Sequence, residues 1–148
     1  MKRLLFVLIL FISIPSFSFA QLEKPVTWSF YAKKINKTEV LVYIKAKIAG
    51  NWHIYAQSVK SEAMRLKFSY NKSNDFSLIG KTNEPKPIKK YDPIVKMDLA
   101  YFEKEVVFTQ KIILNKSSAL VKTNVEFMAC NDKQCLPADE VSFNISVK

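Results

Sequence analysis

Cys130 and Cys135 are the only cysteines in a chain of 148 residues, and four residues separate them. A pair this close can close a local disulfide, exchange electrons reversibly, or share a metal. The intervening Asn131, Asp132, Lys133 and Gln134 are turn-forming types. They predict a strand closed by Cys130, a turn, and a next strand opened by Cys135. Two Cα atoms flanking such a turn can lie within the roughly 4.4–6.8 Å that a disulfide spans. The closed loop would hold six residues, for which chain entropy gives about 2 kcal/mol. A hairpin brings these residues together without help, so stability is a weak motive for the bond. A bond that opens and closes suits a single local pair better.

A structural zinc site takes four ligands. Only His53 could join the two cysteines, and Met64, Met97 and Met128 show no copper-like clustering. A reactive thiol has its pKa lowered by positive charge or by a helix N-terminus. The sequence neighbours here are Asp132, Lys133, Asp139 and Glu140, net negative, and no helix is expected. That environment does not suit a strong oxidant. It suits a carrier of reducing equivalents whose thiols are shielded until a partner docks.

The elements that would position this pair have a period of two, the signature of half-buried strands. Val40, Val42, Ile44, Ala46 and Ile48 fall on one face, with Lys45 and Lys47 on the other. Met64, Leu66, Phe68 and Tyr70 alternate with Arg65, Lys67 and Ser69. Val106, Phe108, Gln110, Ile112 and Leu114 form a third set, and Val121, Thr123, Val125, Phe127 and Ala129 lead up to Cys130. Val141, Phe143, Ile145 and Val147 make the last. Aromatic and β-branched content predicts further strands near 26–33 and 52–57. Turn signals separate the sets at Ile35 to Lys37, Gly50-Asn51, Asn71 to Asp75 and Asn115 to Ser118.

This pattern predicts an all-β fold. We expect an immunoglobulin-like antiparallel β-sandwich of seven to nine strands, with a closed barrel as the alternative. Two glycines in the whole chain leave few bends for a barrel. One long connection stands out from Glu84 to Pro93, with three prolines in ten residues. Proline removes ladder donors, so this reads as a stiff crossover or a functional loop.

The N-terminus bounds the compartment. Lys2 and Arg3 precede an apolar run from Leu4 to Ile14, and Ser18-Phe19-Ala20 supplies small residues for cleavage. This predicts a secretory signal peptide over residues 1–20, cleaved after Ala20, and one mature domain over 21–148. The other reading is an uncleaved anchor, for which the run is short beside the roughly 20 residues of a span. No cysteine follows the cleavage point to carry a lipid. The net charge of +10 falls to +8 without Lys2 and Arg3. Most lysines alternate with apolar strand residues, which favours a solvated face over a nucleic-acid surface. Four glycosylation-type sequons, at Asn36, Asn71, Asn115 and Asn144, read as turn and strand-face residues without assigned function.

Five segments, in their order along the chain, resemble the N-terminal periplasmic domain of the thiol:disulfide interchange protein DsbD. They are Val26 to Phe30 (VTWSF), Gly50 to Tyr55 (GNWHIY), Glu84 to Pro87 (EPKP), Tyr91 to Pro93 (YDP) and Cys130 to Pro137 (CNDKQCLP). The last is the most specific. The resemblance implies an immunoglobulin-like sandwich in the periplasm. It implies that Cys130 and Cys135 form a redox pair, with Cys135 making the mixed disulfides and Cys130 resolving them. It places a cap loop at Tyr91, Asp92, Pro93, Ile94 and Val95, and site-lining rings at His53 and Tyr55, although the His53 position is tyrosine in familiar members. The implied partners are a membrane thiol transporter and thioredoxin-like domains, including those of cytochrome c maturation, met by a monomer without cofactor or nucleic acid. Activity would be that of a protein-disulfide reductase-type electron carrier. In familiar members membrane helices and a thioredoxin-like domain follow, whereas this sequence stops at Lys148. That implies work in trans with a separate transporter, or a drift to another role. The competing expectation is an exported β-sandwich interaction module with a structural disulfide.

Overall fold

The computed structural model of the protein describes residues 24–92 and 96–148, and the expected signal peptide lies outside them. The described residues contain no helix and form eleven strands, more than the seven to nine expected. They are β1 (Val26–Lys34), β2 (Glu39–Ile48), β3 (His53–Tyr55), β4 (Lys67–Tyr70), β5 (Phe76–Asn83), β6 (Ile88–Asp92), β7 (Met97–Glu103), β8 (Glu105–Leu114), β9 (Ala119–Phe127), β10 (Ala129–Cys130) and β11 (Asp139–Val147).

The strands make three antiparallel sheets, ordered β1-β2-β8-β5, β11-β9-β4 and β10-β3-β7-β6. The first two are the layers of an immunoglobulin-like sandwich. Their inner faces follow directly from the alternation in the sequence. In β2, Val40, Val42, Ile44, Ala46 and Ile48 are buried, and in β8 so are Val106, Phe108, Gln110, Ile112 and Leu114. Register sets Ile44 opposite Phe108 and Val42 opposite Gln110, so both sets share one face. From the opposing layer come Val121, Thr123, Val125 and Phe127 of β9 with Ile145 and Val147 of β11. Phe108 sits at the centre, fully buried, with the rings of Phe68, Phe102 and Trp28 at centroid distances of 5.0, 5.6 and 6.3 Å. Such tilted and edge-on contacts suit the ring quadrupoles.

Gln110 is the polar member of its inward set, and the fold accounts for it. Its side-chain oxygen accepts from Thr82 Oγ1 at 3.0 Å, and its amide donates to the carbonyls of Ile79 and Lys111 at 3.1 and 2.9 Å. Tyr70 Oη lies 3.0 Å from the same Thr82 hydroxyl. These bonds satisfy the buried groups where β5 shifts register between Ile79 and Asn83. Gly80 lies in that shift at a φ of 69°, a left-handed conformation that glycine adopts at little cost.

The third sheet grows from one end of the sandwich. β7 passes into β8 through Lys104 alone, at a left-handed φ of 61°. The Lys104 carbonyl accepts from Ile48 N at 2.7 Å, which ties this corner to the end of β2. β9 passes into β10 through Met128 alone. Two single-residue transfers therefore fasten the end sheet to both layers of the core.

Three expectations need correction. The alternation places Met64 in a strand with Phe68 and Tyr70, but β4 starts only at Lys67. The preceding residues form a tight turn in which Met64 N and Arg65 N both donate to the Ser61 carbonyl, at 3.2 and 3.0 Å. The proline-rich stretch is not wholly a connection, since Ile88–Asp92 pairs with β7 as an edge strand, where missing donors are tolerated. The strand after the cysteine turn opens at Asp139 and not at Cys135.

Candidate functional site

Cys130 ends β10, and Cys135 faces it across an isolated antiparallel bridge. The two Cα atoms are 4.0 Å apart and a disulfide joins the sulfurs. The turn between them is organised by Asn131. Its side-chain oxygen accepts from the backbone N–H groups of Lys133 and Gln134, both at 2.9 Å. Asn131 N donates to the Gln134 carbonyl at 2.9 Å, and Leu136 N donates to the Ala129 carbonyl at the same distance. Hydrogen bonds thus close the loop on both sides of the disulfide.

The two cysteine residues differ in exposure. Cys130 is only 2% exposed, held in the sheet opposite His53, whereas Cys135 is exposed. The alternation that buries Ile54 and Ala129 turns His53 and Tyr55 to the other face of the end sheet. Tyr101 joins them from β7, opposite Tyr55 in register. His53 makes an edge contact with Tyr55 at 5.4 Å and a tilted one with Tyr101 at 4.9 Å.

These residues line a groove of about 580 Å³ that contains both cysteines, with Lys90 and Tyr91 from β6 on its far side. The fold therefore brings together Cys130, Cys135, His53, Tyr55 and Tyr91. Tyr91 and Asp92 are the last two residues of β6, not loop residues, and Tyr91 is 58% exposed. Pro93, Ile94 and Val95 lie outside the described residues.

The site's electrostatics also differ from the local sequence reading. The groove is lined by Glu103 and Asp132 but also by Lys90 and Lys104. The two lysines arrive on distant segments, so the net negative balance of residues 132–140 does not describe the site. Burial holds the His53 pKa below its ordinary value of 6.5, and Lys90 pushes the same way, while Glu103 and Asp132 oppose the shift. His53 is thus a neutral ring beside Cys130 at neutral pH.

Sequence reasoning missed Leu99, Tyr101, Glu103 and Lys90 as lining residues. β7 carries little signal of them, because Leu99 to Phe102 is a continuous apolar run in which the adjacent Leu99 and Ala100 are both buried. Among the described residues, no three His, Cys, Asp or Glu side chains are grouped as a metal site requires.

Comparison with known proteins bears on this geometry. Residues 21–146 match the family described as thiol:disulfide interchange protein DsbD, N-terminal. The N-terminal domain of DsbD from Neisseria meningitidis in the reduced form is similar, with a TM-score of 0.53 and 14% identity over 80% of this chain and 84% of that one. The same organism's DsbD N-terminal domain in complex with the PilB N-terminal domain gives a TM-score of 0.53 and 13% identity, over 79% of this chain and 80% of that one. The N-terminal periplasmic domain of ScsB from Proteus mirabilis gives a TM-score of 0.60 and 16% identity, over 82% of this chain and 46% of that one. At these identities the solved structures speak for the fold. No curated protein sequence matches significantly. With the family matched across nearly the whole chain and the cysteine pair in its groove, the protein belongs to the family of DsbD N-terminal domains.

Proposed function

We propose that this domain is a periplasmic carrier in a thiol:disulfide relay. It takes reducing equivalents from a membrane thiol transporter and delivers them to exported thioredoxin-like or disulfide-containing proteins. The family is one of thiol:disulfide interchange. The observation that carries the reading is the unequal exposure of the two cysteine residues, Cys130 buried and Cys135 exposed in one groove.

In the delivery step the reduced domain presents the Cys135 thiolate. It attacks one sulfur of the partner's disulfide, forming a Cys135–partner bond and releasing the partner's other sulfur as a thiolate. The Cys130 thiolate then attacks Cys135 Sγ. The Cys130–Cys135 bond forms, the partner leaves with two thiols, and two electrons have moved to it. The structure holds the oxidised domain that ends this step. Recharging runs the same exchange in reverse with the transporter's dithiol. The chemistry balances without a cofactor, and a monomer suffices.

The DsbD N-terminal domain of Neisseria meningitidis forms a complex with the PilB N-terminal domain, which supports a protein partner docked at this groove. The proposal includes export, with residues 1–20 removed after Ala20, and a shielding role for Tyr91 to Val95 over the cysteines. His53, Tyr55 and Tyr101 would form the wall against which a partner's disulfide is set.

The test is a Cys130→Ser variant incubated with an oxidised thioredoxin-like domain. It should accumulate a mixed disulfide through Cys135, visible as a reducible adduct by mass spectrometry, while Cys135→Ser forms none. The reduction potential separates the relay from a structural staple. A value near that of thioredoxin supports the relay, and one well below about −300 mV sinks it.

A further inference from the structure

A second groove of about 400 Å³ runs beside the cysteine groove and shares Tyr91 and Leu99 with it. Among the described residues its lining is basic, with Lys60, Lys89 and Lys96 against one carboxylate, that of Asp98. Among the described residues none of these three lysines forms an ion pair, whereas Lys45, Lys67, Lys111 and Lys116 elsewhere on the molecule each do.

The groove is built from fixed parts. Ala56 N donates to the Ala100 carbonyl at 2.8 Å, joining the end of β3 to β7. The Arg65 guanidinium then holds the following loop by donating to the carbonyls of Val59 and Lys60, at 2.8 and 3.3 Å. Lys60 therefore stands on an anchored loop, and Lys89 on a paired strand. β6 is also the edge of the end sheet, and it exposes two large apolar side chains, Ile88 at 46% and Tyr91 at 58%. Lysines on an edge discourage promiscuous pairing, but they leave the edge open to a strand of opposite charge.

The geometry points to a docking surface for an extended acidic segment of the redox partner. The segment lies along β6, its carboxylates meet Lys60, Lys89 and Lys96 on the face that also carries Tyr91, and its alternate apolar side chains cover Ile88 on the other face. Charge complementarity selects this occupant, and the shared Tyr91 places it next to the disulfide that is to be exchanged. The inference rests on the relay reading only for what the partner does, not for what the surface binds.

The test separates the two. A labelled, cysteine-free peptide of alternating glutamate and valine is titrated with the full chain, followed by fluorescence anisotropy. The same peptide with glutamine for glutamate is the control. We expect the acidic peptide to bind at least about tenfold more tightly than the control at low ionic strength. That advantage should vanish at about 0.5 M salt, where the screening length falls to a few ångströms. It should also vanish in the combined Lys60→Gln, Lys89→Gln and Lys96→Gln variant. Equal binding of the two peptides, or full retention of the advantage in the variant, would overturn the proposal. Exchange of the Cys130–Cys135 bond with uncharged hydroxyethyl disulfide, measured on the same samples, reports on the redox reading alone. It should be unchanged in the lysine variant. Its parallel loss would mean that the lysines serve the cysteines directly, and would also overturn the docking surface.

Discussion

The two-layered sandwich and the sheet at its end obey one alternation rule with opposite results. In β2 and β8 the apolar face meets a second layer, and Val42, Ile44, Phe108 and Ile112 are sealed. In β3 the inward Ile54 is sealed likewise, but the outward His53 is half-buried at the wall of a groove that the buried Tyr55 also lines. The lysines divide the same way. Lys45 pairs with Glu105 at 2.8 Å and Lys111 with Glu39 on the sandwich, while Lys89 and Lys90 on the end sheet have no ion pair among the described residues. The difference shows how a small domain separates stability from reactivity. The sandwich layers close on each other, whereas the end sheet, packed on one face, leaves Tyr91, its lysines and Cys135 accessible on the other.

Three measurements can break or sharpen that contrast. Replacing the central ring by Phe108→Ala should cost about 3–5 kcal/mol in urea unfolding. The native protein should still exchange its disulfide at an unchanged rate with a small uncharged disulfide. A variant that loses reactivity while folded would show that the two regions are not separable.

Reducing Cys130–Cys135 should have a smaller effect, about 2 kcal/mol by the same unfolding assay, because the closed loop is short. A much larger loss would move the disulfide from the reactive region into the structural one.

The smallest effect concerns His53. Its pKa in the folded state is depressed below 6.5, chiefly by burial. Above pH 6.5 the ring is neutral whether the chain is folded or not. As pH falls below that value the unfolded chain takes up the proton first. Stability present above pH 6.5 is therefore lost across the interval down to the depressed folded value, and then levels off. A His53→Gln variant should lack this step when its urea midpoint is followed against pH. Persistence of the step would assign it to another group.

The sandwich was largely legible from the sequence. The inward sets of β2, β8, β9 and β11 alternate cleanly because one face of each meets the opposing layer and the other meets solvent. The missed strands have physical reasons. β5 is interrupted by Gly80 and a register shift, so its pattern does not persist. In β7 the adjacent Leu99 and Ala100 are both buried, which erases the alternation. β6 is rich in lysine and follows two prolines, so it reads as a loop. The passage from β9 to β10 was invisible for another reason. Phe127 and Ala129 are both buried and keep phase while the chain changes sheets at Met128. The cysteine pair could be found by residue type alone, and His53, Tyr55 and Tyr91 entered through family resemblance. Lys90, Leu99, Tyr101 and Glu103 could not be found, because only sheet order brings them to the pair.

The hydrogen bonds from Leu136 to Ala129 and from Asn131 to Gln134 do not involve sulfur. On the relay reading they would hold the loop in shape when the disulfide opens. In kinetic terms, the thiol of Cys130 is kept at a very high effective concentration beside Cys135. Under the proposed relay, a covalent adduct on Cys135 would have a short lifetime, because the nucleophile that ends it would wait in place with little reorganisation left to make. Such a domain would hand over two electrons in quick succession and let its partner go.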